Sequence, residues 1–185
     1  MRPLPTISAV KNLVETRFFR VDEETLDQGY PYYSVTSKFD AVIVIPVLPD
    51  GRLVVERIYR HPYRRFVLEF PAGGIEPGED ILHAAGRELA EETGYSAKNL
   101  TLLGSKLVMP GLMVMRSHFV LATGLVKDHD LAHEVMELIE PVILSSEEAW
   151  KHAKNDQNGE AASSFLVDGL LYLEHYLNRN PDNGA

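Results

Sequence analysis

The chain has 185 residues, 45% of them apolar and 24% charged, with a formal net charge of −9 at pH 7. That length suits one domain with a full core, and the acidic balance argues against non-specific binding to nucleic acid or to an anionic membrane. The absence of cysteine excludes disulfides and thiolate metal sites. It fits a reducing, cytoplasmic setting, as do an N-terminus without a signal-like apolar run and the lack of any apolar stretch of membrane-spanning length.

In chain order, residues 13–21 and 30–37 are rich in Val, Phe, Tyr and Thr and read as strands. Asp40 to Pro46 is an apolar β-branched run; Pro49-Asp50-Gly51 marks a turn, with Leu53 to Ile58 as its hairpin partner. Phe66 to Phe70 is a further strand. Pro71 to Glu79 holds Gly73, Gly74, Pro77 and Gly78 and reads as a loop. A helix follows from about Asp80 to Thr93, with Leu82, Ala85 and Leu89 as its apolar stripe and Gly94 as its stop. Strands near 99–107, 115–123 and 135–144 are separated by Pro110-Gly111 and an acidic turn at 128–134. Ser145 to Trp150 opens a capped helix, residues 160–177 form a closing amphipathic helix, and 179–185 are a polar tail. The pattern predicts an α/β (α+β) layered domain.

The chemistry concentrates between Gly73 and Tyr95. Glu88 and Glu92 are four apart and Glu88 and Glu91 three apart, so on a helix these carboxylates stand side by side. Like charges held that close call for a counter-charge, and Arg87 or a divalent cation would supply it. Oxygen ligands suit Mg²⁺, which keeps several waters and partners substrate phosphates. The small residues before the helix let backbone groups reach a metal or phosphate directly. Metal-assisted cleavage of a phosphoanhydride is the chemistry this arrangement suits. Glu79 stands where a phosphate-binding Walker loop needs lysine, and no Gly-x-Ser-x-Gly elbow is present.

The same segment matches the Nudix box, G-x5-E-x7-R-E-U-x-E-E-x-G-U with U apolar, through Gly73, Glu79, Arg87, Glu88, Leu89, Glu91, Glu92 and Gly94, with Tyr95 at the last apolar position. The chain therefore resembles the Nudix hydrolases. The resemblance implies an α/β/α sandwich with a mixed sheet and Mg²⁺- or Mn²⁺-dependent hydrolysis of a nucleoside diphosphate linked to another moiety. It implies Glu88 and Glu92 as metal ligands assisted by Glu91, Arg87 as the residue that orients the glutamates, and Glu79 at the edge of the metal site or in a supporting network.

The flanks Arg57 to Pro62 and Phe66 to Gly73 resemble the branch that cleaves ADP-ribose and other nucleoside diphosphate sugars. There the Ala72 carbonyl is implied as a metal ligand, and Arg60, Glu69, Gly73 and Gly74 as substrate-binding positions. Pro110, fifteen residues after Tyr95, marks ADP-ribose hydrolases. The acid expected a few residues beyond it is replaced by Leu112 to Arg116, which leaves the sugar open. A late-loop glutamate is implied as general base or extra metal ligand, and Glu137, Glu140 and Glu134 are the candidates. Phe18, Phe19, Tyr32 or Tyr33 would stack on the base. The resemblance implies a homodimer built through N-terminal strands (1–38) beside a hydrolase domain at 39–178, with a nucleoside diphosphate sugar as substrate and neither nucleic acid nor membrane as partner. Two other readings stay open: a Nudix-fold nucleotide sensor without catalysis, and a hydrolase of dinucleotides or nucleoside triphosphates. His129 and His133 have the spacing of a zinc pair but sit in an acidic turn, and read as exposed loop histidines.

Overall fold

Residues 4–27, 29–131, 138–154 and 161–181 are described in a computed structural model of the chain. They form an α+β fold of three sheets and three helices. Its strands are β1 (Ile7–Glu15), β2 (Phe19–Leu26), β3 (Pro31–Ser37), β4 (Ala41–Pro46), β5 (Leu53–Arg60), β6 (Arg65–Glu69), β7 (Ala72–Gly74), β8 (Tyr95–Leu107), β9 (Met113–Val114), β10 (Arg116–Lys127), β11 (Ile139–Leu144) and β12 (Ala161–Ala162). Its helices are α1 (Ile81–Thr93), α2 (Ser146–Lys154) and α3 (Ser164–Arg179).

The chain divides into two compact units. The first takes the residues up to Ala41 together with Lys106–Ser117, and the second takes Val42–Ser105 with the residues from His118 on. The first is a sheet of order β1-β2-β3-β9. Its single expected strand over 13–21 is instead a hairpin. Thr16 Oγ1 accepts from the backbone N–H groups of Phe18 (3.1 Å) and Phe19 (3.0 Å) and folds the run back on itself. Val35 and Thr36 of β3 pair in parallel with Met113 and Val114, so the segment after Pro110 folds with the N-terminal strands.

The second unit holds sheets of order β7-β4-β10-β8 and β11-β5-β6-β12. β4 is buried along its whole length, which accounts for its unbroken apolar run. Its alternate side chains serve opposite faces. Val42 and Val44 join Ala84, Ala85 and Leu89 of α1 in one cluster with Val54, Val120 and Ala122. Ile45 meets α3, where Gly169 lets Phe70 approach so closely that a Cβ there would lie 2.5 Å from the ring. Helices on both sides of a sheet give the α/β/α layering.

Three expected boundaries move. β5 is not the hairpin partner of β4. The turn at Asp50-Gly51 forms, but beyond the single Val47–Leu53 bridge the two strands join different sheets. Ala72–Gly74 adds a short strand inside the expected loop by pairing beside β4. The last helix starts at Ser164, because Ser163 caps it and Ala161-Ala162 pair in parallel with Val67-Leu68. The expected strand at 135–144 is seen from Ile139 onward; 135–137 lie outside the described residues. No helix among the described residues is long and apolar enough to cross a membrane.

Candidate active site

Helix α1 begins where the sequence implies. Asp80 accepts from the N–H groups of Leu82 and His83 as the N-cap, and Gly94 closes the helix in a left-handed conformation (φ 75°) with its N–H on the Ala90 carbonyl. A side chain at Gly94 would also strike the His129 carbonyl at 2.8 Å. These two ends fix the rotation of the helix. Leu89 and Ala85 go to the core, and Glu88 and Glu92 turn toward the Ala72–Gly74 backbone at only 8% and 5% exposure. Glu91 stays more open.

Arg87 is the hub of the site. Its Nε and Nη2 bind the two oxygens of Glu79 at 3.1 Å each, its Nη1 binds Glu88 Oε1 at 2.8 Å and Glu91 Oε2 at 3.3 Å, and its Nη2 also donates to the Gly74 carbonyl at 3.0 Å. The side-on pairing with Glu79 is the strong, oriented form of the ion pair. Glu79 also accepts from the Glu76 N–H at 3.0 Å and meets His83 Nδ1 at 2.9 Å. The Arg87 hydrogen bonds hold the Glu79 carboxyl down at about 2, against the opposing effect of burial, with the Glu76 N–H and His83 adding to the depression. The same Glu79 hydrogen bonds, with the charge of Glu88, raise the Arg87 guanidinium above its ordinary value, so it stays charged throughout.

The glycine-rich turn supplies the other wall. Glu92 Oε2 accepts from the Ala72 N–H at 3.0 Å. A Cβ built on Gly73 would fall 1.9 Å from Glu88 Oε1, so any side chain there would push the Glu88 carboxylate out of place. Ala72, Gly73 and Gly74 are thus brought together with Glu88, Glu92 and Arg87.

Across the sheet, Arg60 on β5 makes a two-pronged pair with Glu69 on β6, Nε to Oε1 at 2.9 Å and Nη2 to Oε2 at 2.7 Å. Glu69 is buried, and hydrogen bonding to it is the main reason the Arg60 guanidinium is raised; the charges of Glu69, Glu92 and Glu56 add to it. Arg60 and Glu69, both expected on the substrate, therefore hold each other beside Glu92. Arg60 Nη1 finds no acceptor among the described residues.

One buried acid escaped the sequence reading. Glu56 is 1% exposed and stands directly opposite Glu69 in the ladder. Its signal was a lone carboxylate at a core position of the apolar strand Leu53 to Ile58. Of the base candidates, Glu134 and Glu137 lie outside the described residues. Glu140 sits opposite Arg57 on β11, 68% exposed and 3.5 Å from Arg57 Nη1, on the face of the sheet away from Glu56 and Arg60. It is not brought together with the α1 carboxylates. His129 pairs with Asp128 at 3.5 Å, and His133 lies outside the described residues. Tyr32 and Tyr33 are tied within the first unit, to the Gly111 carbonyl (2.6 Å) and Glu23 (2.9 Å), while the Phe18 and Phe19 rings are exposed.

The donor set suits a hard divalent cation. Two buried carboxylates stand against the Ala72–Gly73 backbone, and carboxylate and backbone oxygens are the donors such an ion prefers. No group of three or more His, Cys, Asp or Glu side chains forms a ready cage among the described residues.

The fold that carries this helix, its arginine and the glycine turn is that of the Nudix hydrolases. The NUDIX domain matches residues 37–162, and the chain belongs to the Nudix hydrolase family. It is 32% identical over 135 residues to the ADP-ribose pyrophosphatase of Bacillus subtilis (strain 168), covering 72% of this chain and 73% of that one. It is 36% identical over 138 residues to the methanol dehydrogenase activator of Bacillus methanolicus, with the same coverage. A crystal structure of an ADP compounds hydrolase superposes with a TM-score of 0.78 over 95% of both chains at 25% identity.

Proposed function

We propose that this chain hydrolyses the pyrophosphate bond of ADP-ribose or another nucleoside diphosphate sugar, giving a nucleoside monophosphate and a sugar phosphate. The observation that carries the reading is the pair of buried carboxylates, Glu88 and Glu92, fixed against the Ala72–Gly73 backbone by Arg87 and by the Ala72 N–H. An exposed acidic helix face would need none of this. The similarity to an ADP-ribose pyrophosphatase supports the substrate class.

The Ala72 carbonyl, Glu88 and Glu92 would hold Mg²⁺ or Mn²⁺, which supplies Lewis-acid polarisation of the phosphoryl oxygen and of attacking water. Glu91, the most open of the three box carboxylates, extends the donor set. Arg87 and Glu79 keep the carboxylates in place without touching substrate. Arg60, anchored on Glu69, presents its remaining Nη1 to the diphosphate, while Gly73 and Gly74 let the phosphates approach the backbone. Glu137 is the group we assign to take the proton from attacking water. The open apolar side chains of β1, Ile7, Val10, Leu13 and Val14, support a homodimer through the N-terminal strands.

Incubation with Mg²⁺ and a panel of ADP-ribose, ADP-glucose, GDP-mannose, UDP-glucose, diadenosine polyphosphates and deoxynucleoside triphosphates tests the reading by product analysis. Monophosphate release from a diphosphate sugar is expected. Its absence from every diphosphate sugar would sink the proposal.

A further inference from the structure

We infer that Arg64, assisted by Tyr63, recognises a phosphate group carried by the substrate in addition to the scissile diphosphate. The inference deepens the reading above and rests on that site cleaving a nucleoside diphosphate compound.

Arg57, Arg60, Arg64 and Arg65 fall within nine residues that contain no acid, in a chain of net charge −9. A protein with that overall charge repels polyanions, so a substrate with an added phosphate needs local cations. These arginines run along the end of β5 and around the turn into β6. The turn is tight: Tyr63 and Arg64 both donate their N–H to the Arg60 carbonyl, at 3.0 and 2.9 Å. Tyr63 and Arg64 are therefore one turn of backbone from Arg60, whose guanidinium lies on Glu69 and feels the charge of Glu92. The turn starts at Arg60, the arginine proposed to meet the diphosphate.

The backbone of Arg64 is the second observation. Its φ is 53°, in the left-handed region that favours glycine. Among the described residues the fold meets this requirement with glycine at five positions, including Gly51 in the preceding turn; Arg64 and Met109 are the two exceptions. A merely solvated arginine has no need of a strained position that glycine would fill at less cost. Strain kept at one residue points to work done by its side chain. Among the described residues no carboxylate, carbonyl or ring engages the Arg64 side chain. Tyr63 beside it is 74% exposed.

An exposed guanidinium and an exposed phenol on consecutive residues of one turn fit a phosphate monoester. The monoester carries close to two charges, accepts a forked pair of N–H bonds, and sits on a nucleoside or sugar that can lie against a ring. With the diphosphate held at Arg60, a substituent on the attached sugar would meet Arg64 and Tyr63 next.

The test compares ADP-ribose with 2′-phospho-ADP-ribose, using the full chain with Mg²⁺ and the variants Arg64→Gly and Tyr63→Ala. Wild type should favour the phosphorylated compound by roughly fivefold in kcat/KM, through KM. Arg64→Gly should remove that preference, leave kcat on ADP-ribose unchanged, and keep or raise Tm, because the left-handed strain is relieved. Tyr63→Ala should reduce the preference without removing it. UDP-glucuronate against UDP-glucose serves as the carboxylate arm; an equal gain there overturns selectivity for phosphate. A preference absent in wild type, or unchanged in Arg64→Gly, overturns the inference. Calorimetric binding of the two ADP-ribose compounds without metal separates it from the hydrolase reading. Preferential binding without cleavage sinks the hydrolase reading alone, and equal cleavage with equal binding sinks only the role of Arg64.

Discussion

Two arginines seated on carboxylates organise the second unit, and they are seated differently. Arg87 on α1 spends its whole fork: Glu79 takes Nε and Nη2, Glu88 and Glu91 share Nη1, and the Gly74 carbonyl takes Nη2 again. Arg60 on β5 is held by Glu69 alone, and Nη1 is left without an acceptor among the described residues. A guanidinium whose donors are all used fixes its neighbours and has nothing to offer a ligand. One held by two donors is aimed, and still has a donor to give. On the function proposed above, the difference fits Arg87 to architecture and Arg60 to recognition, each on its own set of carboxylates.

The largest expected effect bears on the buried carboxylate beside the Arg87 cluster, the one held by the Ala72 N–H. Glu92→Gln keeps the side-chain shape and its acceptor for the Ala72 N–H but removes the charge that the proposed metal site depends on. Hydrolysis should fall by roughly a hundredfold or more, with Tm little changed, and nucleotide binding should survive. Binding and turnover measured on one preparation decide it; near-normal turnover would remove Glu92 from the site.

Arg87→Lys comes next. Lysine keeps the charge but cannot make the side-on pair with Glu79 while reaching Glu88 and Gly74. Because it leaves hydrogen bonds to partly buried carboxylates unmade, it should cost about 1–3 kcal/mol of stability, and kcat should fall while KM moves little. Arg60→Lys should show the opposite split, with KM for the diphosphate raised roughly tenfold and kcat nearly kept. Steady-state kinetics on both variants test the comparison directly. The same split in both would erase the distinction between the two arginines.

How far the sequence announced this arrangement depends on whether the signal was local. The α1 helix was legible because its cap Asp80, its apolar spacing and its stop Gly94 are all short-range, and the expected limits agree with the structure to within a residue. The box motif likewise named Arg87 and its glutamates. What it could not give is burial: the same spacing suits a solvated face, and only packing against Ala72–Gly73 puts Glu88 and Glu92 inside. The hairpin at Thr16 was hidden because no Gly, Pro, Asn or Asp marks it, and one hydroxyl turns the chain. The hairpin partnership given to β5 failed because ladder membership is non-local. β5 finds β6 and β11, while β4 finds β7 and β10. The Arg60–Glu69 pair was missed for the same reason: both residues were named, but as two contacts to substrate rather than to each other.

Glu56 offers a finer probe of the Arg60 side. It faces Glu69 across the ladder and contributes to the charge field on Arg60. Removing that charge with Glu56→Gln leaves Arg60 less compensated, so the diphosphate should bind roughly two- to threefold more tightly by calorimetry. Weaker binding would mean that Glu56 helps to hold Arg60 in place rather than merely offsetting its charge.

The smallest expected effect concerns acid stability and tests the Arg87 side through Glu79. Its carboxyl is held at about 2 in the folded chain against an ordinary value of 4.5. Between those limits the unfolded chain binds the proton and the folded chain does not, so folding stability rises with pH across that interval. The contribution is fully present above about pH 4.5 and is lost as pH falls toward 2. Urea midpoints measured from pH 5 down to pH 2 should therefore slope less steeply in Glu79→Gln than in wild type, and the two curves should converge at the acid end. Parallel curves would mean that Arg87 does not hold Glu79 as a charged partner. Its contacts with Glu88 and Glu91 would then have to account for the fixed helix face on their own.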